Sequence, residues 1–274
     1  MPRESRAGDA PTRPALLEAI REEPARAAIL TDVDGTLAPI ATRPEQATVS
    51  AAAREALTGL SERFGLVGCI SGRRAVEARR LVGVEGIAYA GNHGLELLLP
   101  GEEVPRPDPS LRGREGDAAA FAAGLERPRL ASAGLRLEDK GPIQALHWRG
   151  AQDERAAEAL AHQIAAEAGR GGLEPHWGRK VLEVRPTGGG GKDTAVAALL
   201  AGGALDRAAY AGDDRTDLDA FRRLRELCEE GSLQLAVCVG VVSPEAPPEL
   251  PEEADLIVDG PDGWLKILDF LAAG

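Results

Sequence analysis

The sequence is poor in aromatic residues and in cysteine. Phe, Tyr and Trp together make up 3% of the 274 residues, so a hydrophobic core must be built mainly from Ala, Leu and Val. The three cysteines, Cys69, Cys228 and Cys238, lack the close spacing of a metal-binding motif, and we interpret them as free thiols. The composition therefore does not favour a disulfide scaffold or a cysteine-bound metal.

Positive charge and long apolar runs are scarce as well. The chain has 32 Lys and Arg against 44 Asp and Glu, a net charge of −12, whereas nucleic-acid binding requires clustered basic residues. No apolar stretch approaches the roughly 20 residues that span a bilayer. The polar, proline-containing segment Met1–Arg13 lacks the apolar core of a signal peptide, and we interpret it as a disordered lead-in. We expect a cytoplasmic monomer without a nucleic-acid or membrane partner.

Short apolar segments alternate with Ala-rich helical ones along most of the chain. The predicted strands are Ala27–Thr31, Leu66–Ile70, Ile87–Gly91, Ala208–Gly212 and Leu235–Val242, and Lys192–Leu200 is among the helices between them. Strands separated by helices predict an α/β fold with a parallel, doubly wound, Rossmann-like sheet. A hydrophobic content of 43% is enough for one large or two smaller domains.

The middle of the chain has a different pattern. Four prolines fall between Pro100 and Pro109, which predicts a linker. Beyond it, Leu135–Lys140 and Ile143–Arg149 predict a hairpin turned by Gly141 and Pro142. A helix and two further strands follow, at residues 152–168, 173–177 and 180–185. This ββαββ order predicts a small α/β cap domain, residues 105–185, inserted into a core of residues 14–104 and 186–274.

Two carboxylates follow the first predicted strand, Asp32 and Asp34, with Gly35 and Thr36 after them. Strands of an open α/β sheet deliver reactive groups to their carboxyl edge. Two carboxylates this close repel each other, so a stable arrangement requires a cation or a shared proton. The motif fits Mg²⁺ and a phosphorylated substrate, with Asp32 as nucleophile and Asp34 as general acid and base.

Three other segments can contribute to the same site. Ser71 follows a buried strand, and its hydroxyl suits a phosphoryl oxygen, although it could equally be an ordinary helix cap. Arg73 could bind a phosphate or a sugar. Lys192 follows four glycines and can neutralise the nucleophile, unless it is merely solvated. Asp213 ends a strand and is the best second carboxylate for the metal, while the Asp214 and Asp217 carboxylates could act through water or hold Lys192.

At these residues the chain resembles the haloacid dehalogenase-like phosphatases and, among them, the trehalose-6-phosphate phosphatase family. The matching segments, which run from about residue 28 to 221, include Asp32–Thr36, Ser71–Arg73, Gly91–Glu96, Glu138–Lys140, His147–Arg149, Val181–Pro186 and Gly212–Asp217. The resemblance implies hydrolysis of trehalose 6-phosphate. It also implies that the Asp34 backbone carbonyl binds Mg²⁺ and that Glu138, Lys140 and Glu183 bind the glucose unit that bears no phosphate. Asn92 and Leu218 depart from the family pattern.

The residue patterns and the family resemblance together predict the complete site. Its catalytic residues are Asp32, Asp34, Ser71 and Lys192; its metal ligands are Asp32, Asp34, Asp213 and Asp214; its substrate contacts are Thr36, Gly72, Arg73, His93, Glu138, Lys140, Arg149 and Glu183. For His93, a structural histidine and a substrate contact are equally compatible with the sequence.

Other functions remain open at this point. A phosphatase for another sugar phosphate, such as glycosyl-phosphoglycerate or sucrose phosphate, would share the core motifs. A kinase or ATPase is not favoured, because Pro186 stands where a P-loop requires glycine and Asp193 follows Lys192 in place of Ser or Thr. A non-catalytic sugar-phosphate sensor would not need the complete set of core acids and lysine.

Overall fold

The computed structural model describes residues 13–41, 44–178, 180–202 and 204–273. The predicted lead-in, Met1–Arg13, lies outside the described residues except for Arg13, at which the first helix begins. The chain divides into two compact units. The first comprises Met1–Ile70, Arg79–Ala88 and Lys192–Gly274, as far as these ranges are described, and the second comprises Ser71–Ala78 and Tyr89–Gly191.

Strands and helices alternate over most of the described chain. The strands are β1 (Ala27–Thr31), β2 (Leu66–Ile70), β3 (Ala88–Gly91), β4 (Glu96–Leu98), β5 (Arg106–Pro107), β6 (Arg136–Asp139), β7 (Gln144–His147), β8 (Leu173–Gly178), β9 (Val181–Pro186), β10 (Arg207–Gly212), β11 (Leu235–Val242) and β12 (Leu256–Asp259). The α-helices are α1 (Arg13–Glu22), α2 (Ala51–Ser61), α3 (Ala75–Val82), α4 (Asp117–Ala123), α5 (Arg127–Ser132), α6 (Glu154–Arg170), α7 (Lys192–Leu200), α8 (Arg215–Glu229), α9 (Leu250–Glu253) and α10 (Gly260–Ala272).

The first unit contains five parallel strands in the order β12-β11-β10-β1-β2. Every residue of β1 is buried, as expected for a strand covered on both faces, and its first four residues, Ala27–Leu30, are all apolar. In the register of β1 with β10, Thr31 pairs with Ala211, so both strands end at the same edge. The acids that follow them, Asp32 and Asp213, therefore start from neighbouring positions.

The second unit contains antiparallel strands. One set joins β3 to β4 and β4 to β5; the other is a four-stranded sheet in the order β6-β7-β9-β8. One face of the four-stranded sheet packs against α6, where Leu146, Leu182, Leu160 and Ile164 belong to one buried cluster. The opposite face carries polar residues, because side chains alternate along each strand.

The structure confirms the predicted α/β class and its parallel sheet. It also confirms the hairpin of β6 with β7 and the helix and strand pair that follow. The predicted domain limits, 105 and 185, do not coincide with the limits of the two units and stay a prediction. Among the residues that the structure describes, no helix has both the length and the apolar character needed to cross a membrane.

Candidate active site

The first acidic motif forms a tight turn directly after β1. The Asp32 N–H donates to the carbonyl of Ala211 at 2.8 Å, so the pairing with β10 continues one residue beyond the strand. The N–H of Ala38 then donates to the carbonyl of Val33 at 2.8 Å, which closes the turn. The Asp32 carboxyl is left buried at the edge of the sheet, with 4% of the residue exposed.

Lys192 binds this carboxylate directly. Its Nζ lies 2.7 Å from Asp32 Oδ1 and 2.7 Å from Asp217 Oδ1, and only 2% of the lysine is exposed. Burial disfavours the charged form of Lys192, but the two carboxylates outweigh burial and raise its pKa well above the usual range. The predicted role of Lys192 beside the nucleophile therefore agrees with its position.

Asp217 holds the lysine in place. Besides Lys192, its Oδ1 accepts a hydrogen bond from the Tyr210 hydroxyl at 2.5 Å, and its Oδ2 accepts from the N–H groups of Asp213 at 3.0 Å and Asp214 at 2.9 Å. Both oxygens are thus committed to donors of the protein. Of the two roles that the sequence left open for Asp217, the structure shows that it holds Lys192.

Asp213 lies against the first motif from the other side. Its Oδ1 accepts a hydrogen bond from the Thr36 hydroxyl at 3.3 Å, and 5% of the residue is exposed. Burial and the neighbouring carboxylate of Asp217 raise the pKa of Asp213 to about 7. Burial likewise raises the pKa of Asp32, although the charge of Lys192 opposes that change.

Two glycines make room for these carboxylates. A Cβ on Gly35, whose φ is +102°, would lie 2.1 Å from Asp213 Oδ2, and a Cβ on Gly212 would lie 2.1 Å from Asp217 Cγ. Any other residue would displace an acid of the site. Gly35 is therefore required by a close approach and by its backbone conformation, and Gly212 by a close approach alone.

The oxygens of Asp32, Asp213 and Asp217 include a set within 4.8 Å of one another. Such a set of hard oxygen donors suits Mg²⁺, and the charge of Asp217 adds to burial in raising the pKa of Asp213 even though Lys192 opposes this change. Since both oxygens of Asp217 accept hydrogen bonds, Asp32 and Asp213 are the members that fit the ion best.

Asp214 has another contact in the structure. Its Oδ1 accepts from the N–H groups of Thr216 at 2.8 Å and Asp217 at 3.2 Å, so it caps the N-terminus of α8. Its side chain is 54% exposed, and Oδ1 lies 3.9 Å from Lys192 Nζ. The predicted roles of Asp34 and Asp214 as metal ligands stay predictions.

A second charged cluster lies in the second unit, centred on Glu183. Lys140 Nζ donates to Glu183 Oε1 at 2.8 Å, Arg185 Nη2 donates to Oε2, and His93 Nε2 lies 3.5 Å from Oε2. The side chains of Lys140, Glu183 and Arg185 are 10%, 11% and 6% exposed. The sequence predicted Lys140, Glu183 and His93 for this site but did not single out Arg185.

The charged groups of this cluster change one another's pKa values. Burial alone would raise the pKa of Glu183, but the hydrogen bond from His93 and the positive charges of Lys140 and Arg185 lower it well below its usual range. Burial lowers the pKa of His93 to about 4, against the opposing effect of Glu183. At neutral pH the histidine is therefore uncharged, and the two cations surround one carboxylate.

The loop Ser71–Arg73 is bound to this cluster. Lys140 Nζ also donates to the carbonyl of Gly72 at 2.5 Å, and a Cβ on Gly72 would lie 2.7 Å from the His93 ring. The His93 N–H donates to the carbonyl of Ser71 at 2.9 Å. Asn92 and His93 have φ of 50° and 57°, a left-handed conformation that asparagine and histidine tolerate better than most residues.

The remaining predicted contacts lie farther out on the polar face. Glu138 is exposed, and its Oε2 is 2.6 Å from His147 Nε2, a hydrogen bond that lowers the pKa of the glutamate. Through the pairing of β6, β7, β9 and β8, Glu138 stands in one row with Ala145, Glu183 and His176. Arg149 is exposed and lies beyond the end of β7 at His147, although the sequence predicted a strand over Ile143–Arg149.

A model of the trehalose-phosphatase family matches residues 30–247, most of the chain.

The chain belongs to the trehalose-phosphatase family.

Individual relatives agree with this assignment. The chain is 37% identical to the trehalose-phosphate phosphatase of Mycobacterium marinum over 207 residues, which are 72% of this chain and 51% of that protein. It thus spans about half the length of this curated relative. A crystal structure of a trehalose-6-phosphate phosphatase related protein superposes with a TM-score of 0.70 at 26% identity, covering 90% of this chain and 97% of the other.

A haloacid dehalogenase-like hydrolase from Bacteroides thetaiotaomicron has the same fold. Its TM-score is 0.58 at 16% identity, with 89% of this chain and 99% of that chain covered. The family resemblance and the Rossmann-like core inferred from the sequence are both confirmed.

The site residues that the sequence predicted fall into two groups. Asp32, Asp34, Thr36, Lys192, Asp213 and Asp214 belong to the first unit, and Ser71, Gly72, Arg73, His93, Glu138, Lys140, Arg149 and Glu183 to the second. Sequence reasoning missed Tyr210 and Arg185. Tyr210 has an apolar neighbour on each side within a buried strand, and only its hydroxyl signals a buried partner. Arg185 was detectable as a charge in an apolar strand, two residues after Glu183.

Proposed function

We propose that the protein is a magnesium-dependent phosphatase that hydrolyses trehalose 6-phosphate to trehalose and inorganic phosphate. The observation that carries the proposal is the buried carboxylate of Asp32 at the end of β1, held by Lys192 and next to Asp213. A solvated acidic turn would not require a buried lysine shared between two acids. Family membership and the named relatives support the substrate.

The proposed reaction proceeds in two steps on Asp32. Its carboxylate attacks phosphorus and forms an aspartyl-phosphate while the bond from phosphorus to the sugar oxygen breaks, and Asp34 protonates that oxygen. Asp34 then removes a proton from water, which attacks phosphorus and releases phosphate, so that the Asp32 carboxylate is restored. Lys192 offsets negative charge at Asp32 throughout, and Asp217 and Tyr210 keep the lysine fixed.

The metal fits the residues of the first unit. Asp32 and Asp213 would hold Mg²⁺, together with the backbone carbonyl of Asp34 that the family resemblance implies. When bound, the ion supplies positive charge that compensates these acids and the phosphoryl oxygens. The carboxylate oxygens of Asp32 and Asp213, which lie within 4.8 Å of one another, support this assignment.

The cluster around Glu183 has hydrogen-bonding capacity suited to a polyol. A carboxylate accepts about four hydrogen bonds, and Lys140 donates three. Within the described chain, Glu183 accepts from Lys140 and Arg185, and Lys140 donates to Glu183 and Gly72, which leaves at least one donor and one acceptor position for sugar hydroxyls. The phosphate group is assigned to the first unit, beside Asp32 and Lys192. We therefore assign the sugar, not the phosphate, to this cluster.

The test is phosphate release from a panel of sugar phosphates by the purified protein, with Mg²⁺ and with excess chelator. We expect selective hydrolysis of trehalose 6-phosphate that the chelator abolishes and added Mg²⁺ restores. Selective hydrolysis of sucrose phosphate or glycosyl-phosphoglycerate would contradict the substrate while retaining the reaction. No phosphate release from any panel member would contradict the enzymatic function and favour a sensor.

A further inference from the structure

Arg185 is the member of the Glu183 cluster to which the proposed function gives no task. It follows Glu183 by two residues on β9, so both side chains lie on the polar face of the four-stranded sheet. Its side chain is 6% exposed, less than those of Lys140 and Glu183. Its Nη2 donates to Glu183 Oε2. Through this contact Arg185 can act on a substrate by way of Glu183.

Glu183 faces charged and titratable groups on every neighbouring element. Lys140 comes from the loop between β6 and β7, His93 from the turn after β3, and His176 is its cross-strand partner on β8. Glu138 stands in the same row on β6. Lys140 binds only Oε1, whereas Oε2 accepts from Arg185 Nη2 and lies 3.5 Å from His93 Nε2, so Arg185 makes the shorter contact to Oε2.

Stability alone does not explain a buried arginine here. Lys140 already supplies one positive charge for the one negative charge of Glu183. Arg185 adds a second, and its buried Nε–H has no acceptor within the described part of the chain. A buried donor without a partner is destabilising, and an apolar residue of similar size would avoid that cost. The arrangement indicates that Arg185 acts on the orientation of the Glu183 carboxylate.

We propose that Arg185 is a positioning residue that keeps Oε2 of Glu183 directed for the sugar hydroxyls, and so determines selectivity for the sugar phosphate over small phosphate esters. This inference rests on the proposed function for the identity of the substrate. An ionised carboxylate accepts hydroxyl hydrogen bonds with both oxygens, whereas a protonated or reoriented one loses an acceptor. Small aryl phosphates have no hydroxyls for Glu183 to bind.

The experiment compares the wild-type protein with Arg185→Met, Arg185→Lys and the control Arg155→Met. Arg155 is an exposed arginine on α6, so its replacement makes the same change of residue type away from the cluster. The first readout, which does not depend on turnover, is the pKa of Glu183 measured by ¹³C NMR of the side-chain carboxyl and assigned with Glu183→Gln. The second is the ratio of kcat/KM for trehalose 6-phosphate to kcat/KM for 4-nitrophenyl phosphate.

In Arg185→Met we expect the pKa of Glu183 to rise, since a cation within contact distance is removed, while His93 and Lys140 still favour the ionised form. The selectivity ratio should fall on the order of 10-fold or more, as for a lost hydrogen bond to a charged group. Arg185→Lys should keep the pKa closer to wild type and restore part of the ratio. Arg155→Met should change neither quantity.

An unchanged pKa of Glu183, or an unchanged selectivity ratio, in a folded Arg185→Met protein would overturn the proposal. If circular dichroism shows that this variant does not fold, Arg185→Lys decides: a lower selectivity ratio supports the proposal, and a wild-type ratio overturns it. If the wild-type protein does not hydrolyse trehalose 6-phosphate, the proposed function fails, while the pKa comparison still tests the action of Arg185 on Glu183.

Discussion

At the scale of single residues, Asp32 combines burial with a short ion pair. Its carboxylate lies 2.7 Å from Lys192 Nζ, yet Lys192 also binds Asp217 at the same distance. The lysine is therefore anchored without Asp32. Asp32 can therefore be replaced while Lys192 keeps its position.

We predict that Asp32→Asn abolishes turnover and leaves the fold intact. The amide has nearly the shape of the carboxylate and its oxygen can still accept from Lys192, but it cannot form the aspartyl-phosphate. Phosphate release should fall at least about a thousandfold, as for other nucleophile replacements. Circular dichroism checks the fold, and activity near the wild-type level would refute the covalent mechanism.

A second prediction concerns Asp213 as a ligand of Mg²⁺. Because buried acids surround it, Asp213→Asn should raise the melting temperature of the metal-free protein. Mg²⁺ should raise the melting temperature of the wild-type protein, since it binds only the folded state, but not that of the variant. The exposed Asp219→Asn on α8 is the control with the same change of charge. A Mg²⁺-induced increase retained in Asp213→Asn would contradict the assigned ligand.

At the scale of elements, α8 begins with a reciprocal capping arrangement. Asp214 accepts hydrogen bonds from the N–H groups of Thr216 and Asp217, while Asp217 accepts from that of Asp214. The same turn therefore starts a helix and orients the acid that binds Lys192.

We predict that Asp214→Ala destabilises the metal-free protein by about 1 kcal/mol, as is usual for the loss of a helix cap. Urea unfolding in excess chelator measures this free energy and separates capping from any contribution to metal binding. Glu229→Ala, at the exposed end of the same helix, should change it by less than about 0.5 kcal/mol. Equal effects of both substitutions would argue against the capping role.

The short helical turn at Asn92–Gly94 carries a pH-dependent prediction. Burial lowers the pKa of His93 to about 4 from 6.5, so between these values the unfolded chain binds a proton that the folded chain excludes. The contribution of His93 to stability should thus be complete above about pH 6.5 and decrease as the pH falls to about 4.

The loss over that interval is at most about 3 kcal/mol. The measurement is the difference in unfolding free energy between wild type and His93→Asn, at pH 7 and at pH 4.5. Asparagine tolerates the left-handed backbone at this position and does not titrate. A difference that is the same at both pH values would contradict the prediction.

At the scale of the whole molecule, a protein of net charge −12 is proposed to bind an anionic ester. Its two groups of functional residues are proposed to act on different parts of this ester. The first unit combines acids with one buried lysine, which suits phosphoryl transfer with Mg²⁺. The second surrounds one carboxylate with two cations, which suits a neutral polyol.

This division predicts that Glu183→Ala lowers hydrolysis of trehalose 6-phosphate far more than hydrolysis of a small aryl phosphate. The ratio of the two kcat/KM values should fall on the order of 10-fold or more, since hydrogen bonds to a charged acceptor are lost. Steady-state kinetics on both substrates measure the ratio. Equal losses on both substrates would refute a role of this cluster in sugar recognition.

The sequence by itself determined the features that depend on neighbours along the chain. The bounds of β1, β2, β11 and α7 agree with the predicted ones, because burial periodicity and turn residues act locally. The helices at the two ends, α1 and α10, were not anticipated. The acids at the strand ends were recognisable, since parallel strands place their carboxyl ends at one edge.

Only the tertiary structure decided which charges meet. Lys192 and Asp32 are separated by 160 positions, and Lys140 and Glu183 by 43, so no local pattern reveals either contact. The packing of α8 against β10 places Asp217 beside Lys192 and the Tyr210 hydroxyl beside Asp217. Such pairings are determined by strand register and burial, because a charge removed from water must find its partner wherever the fold brings one.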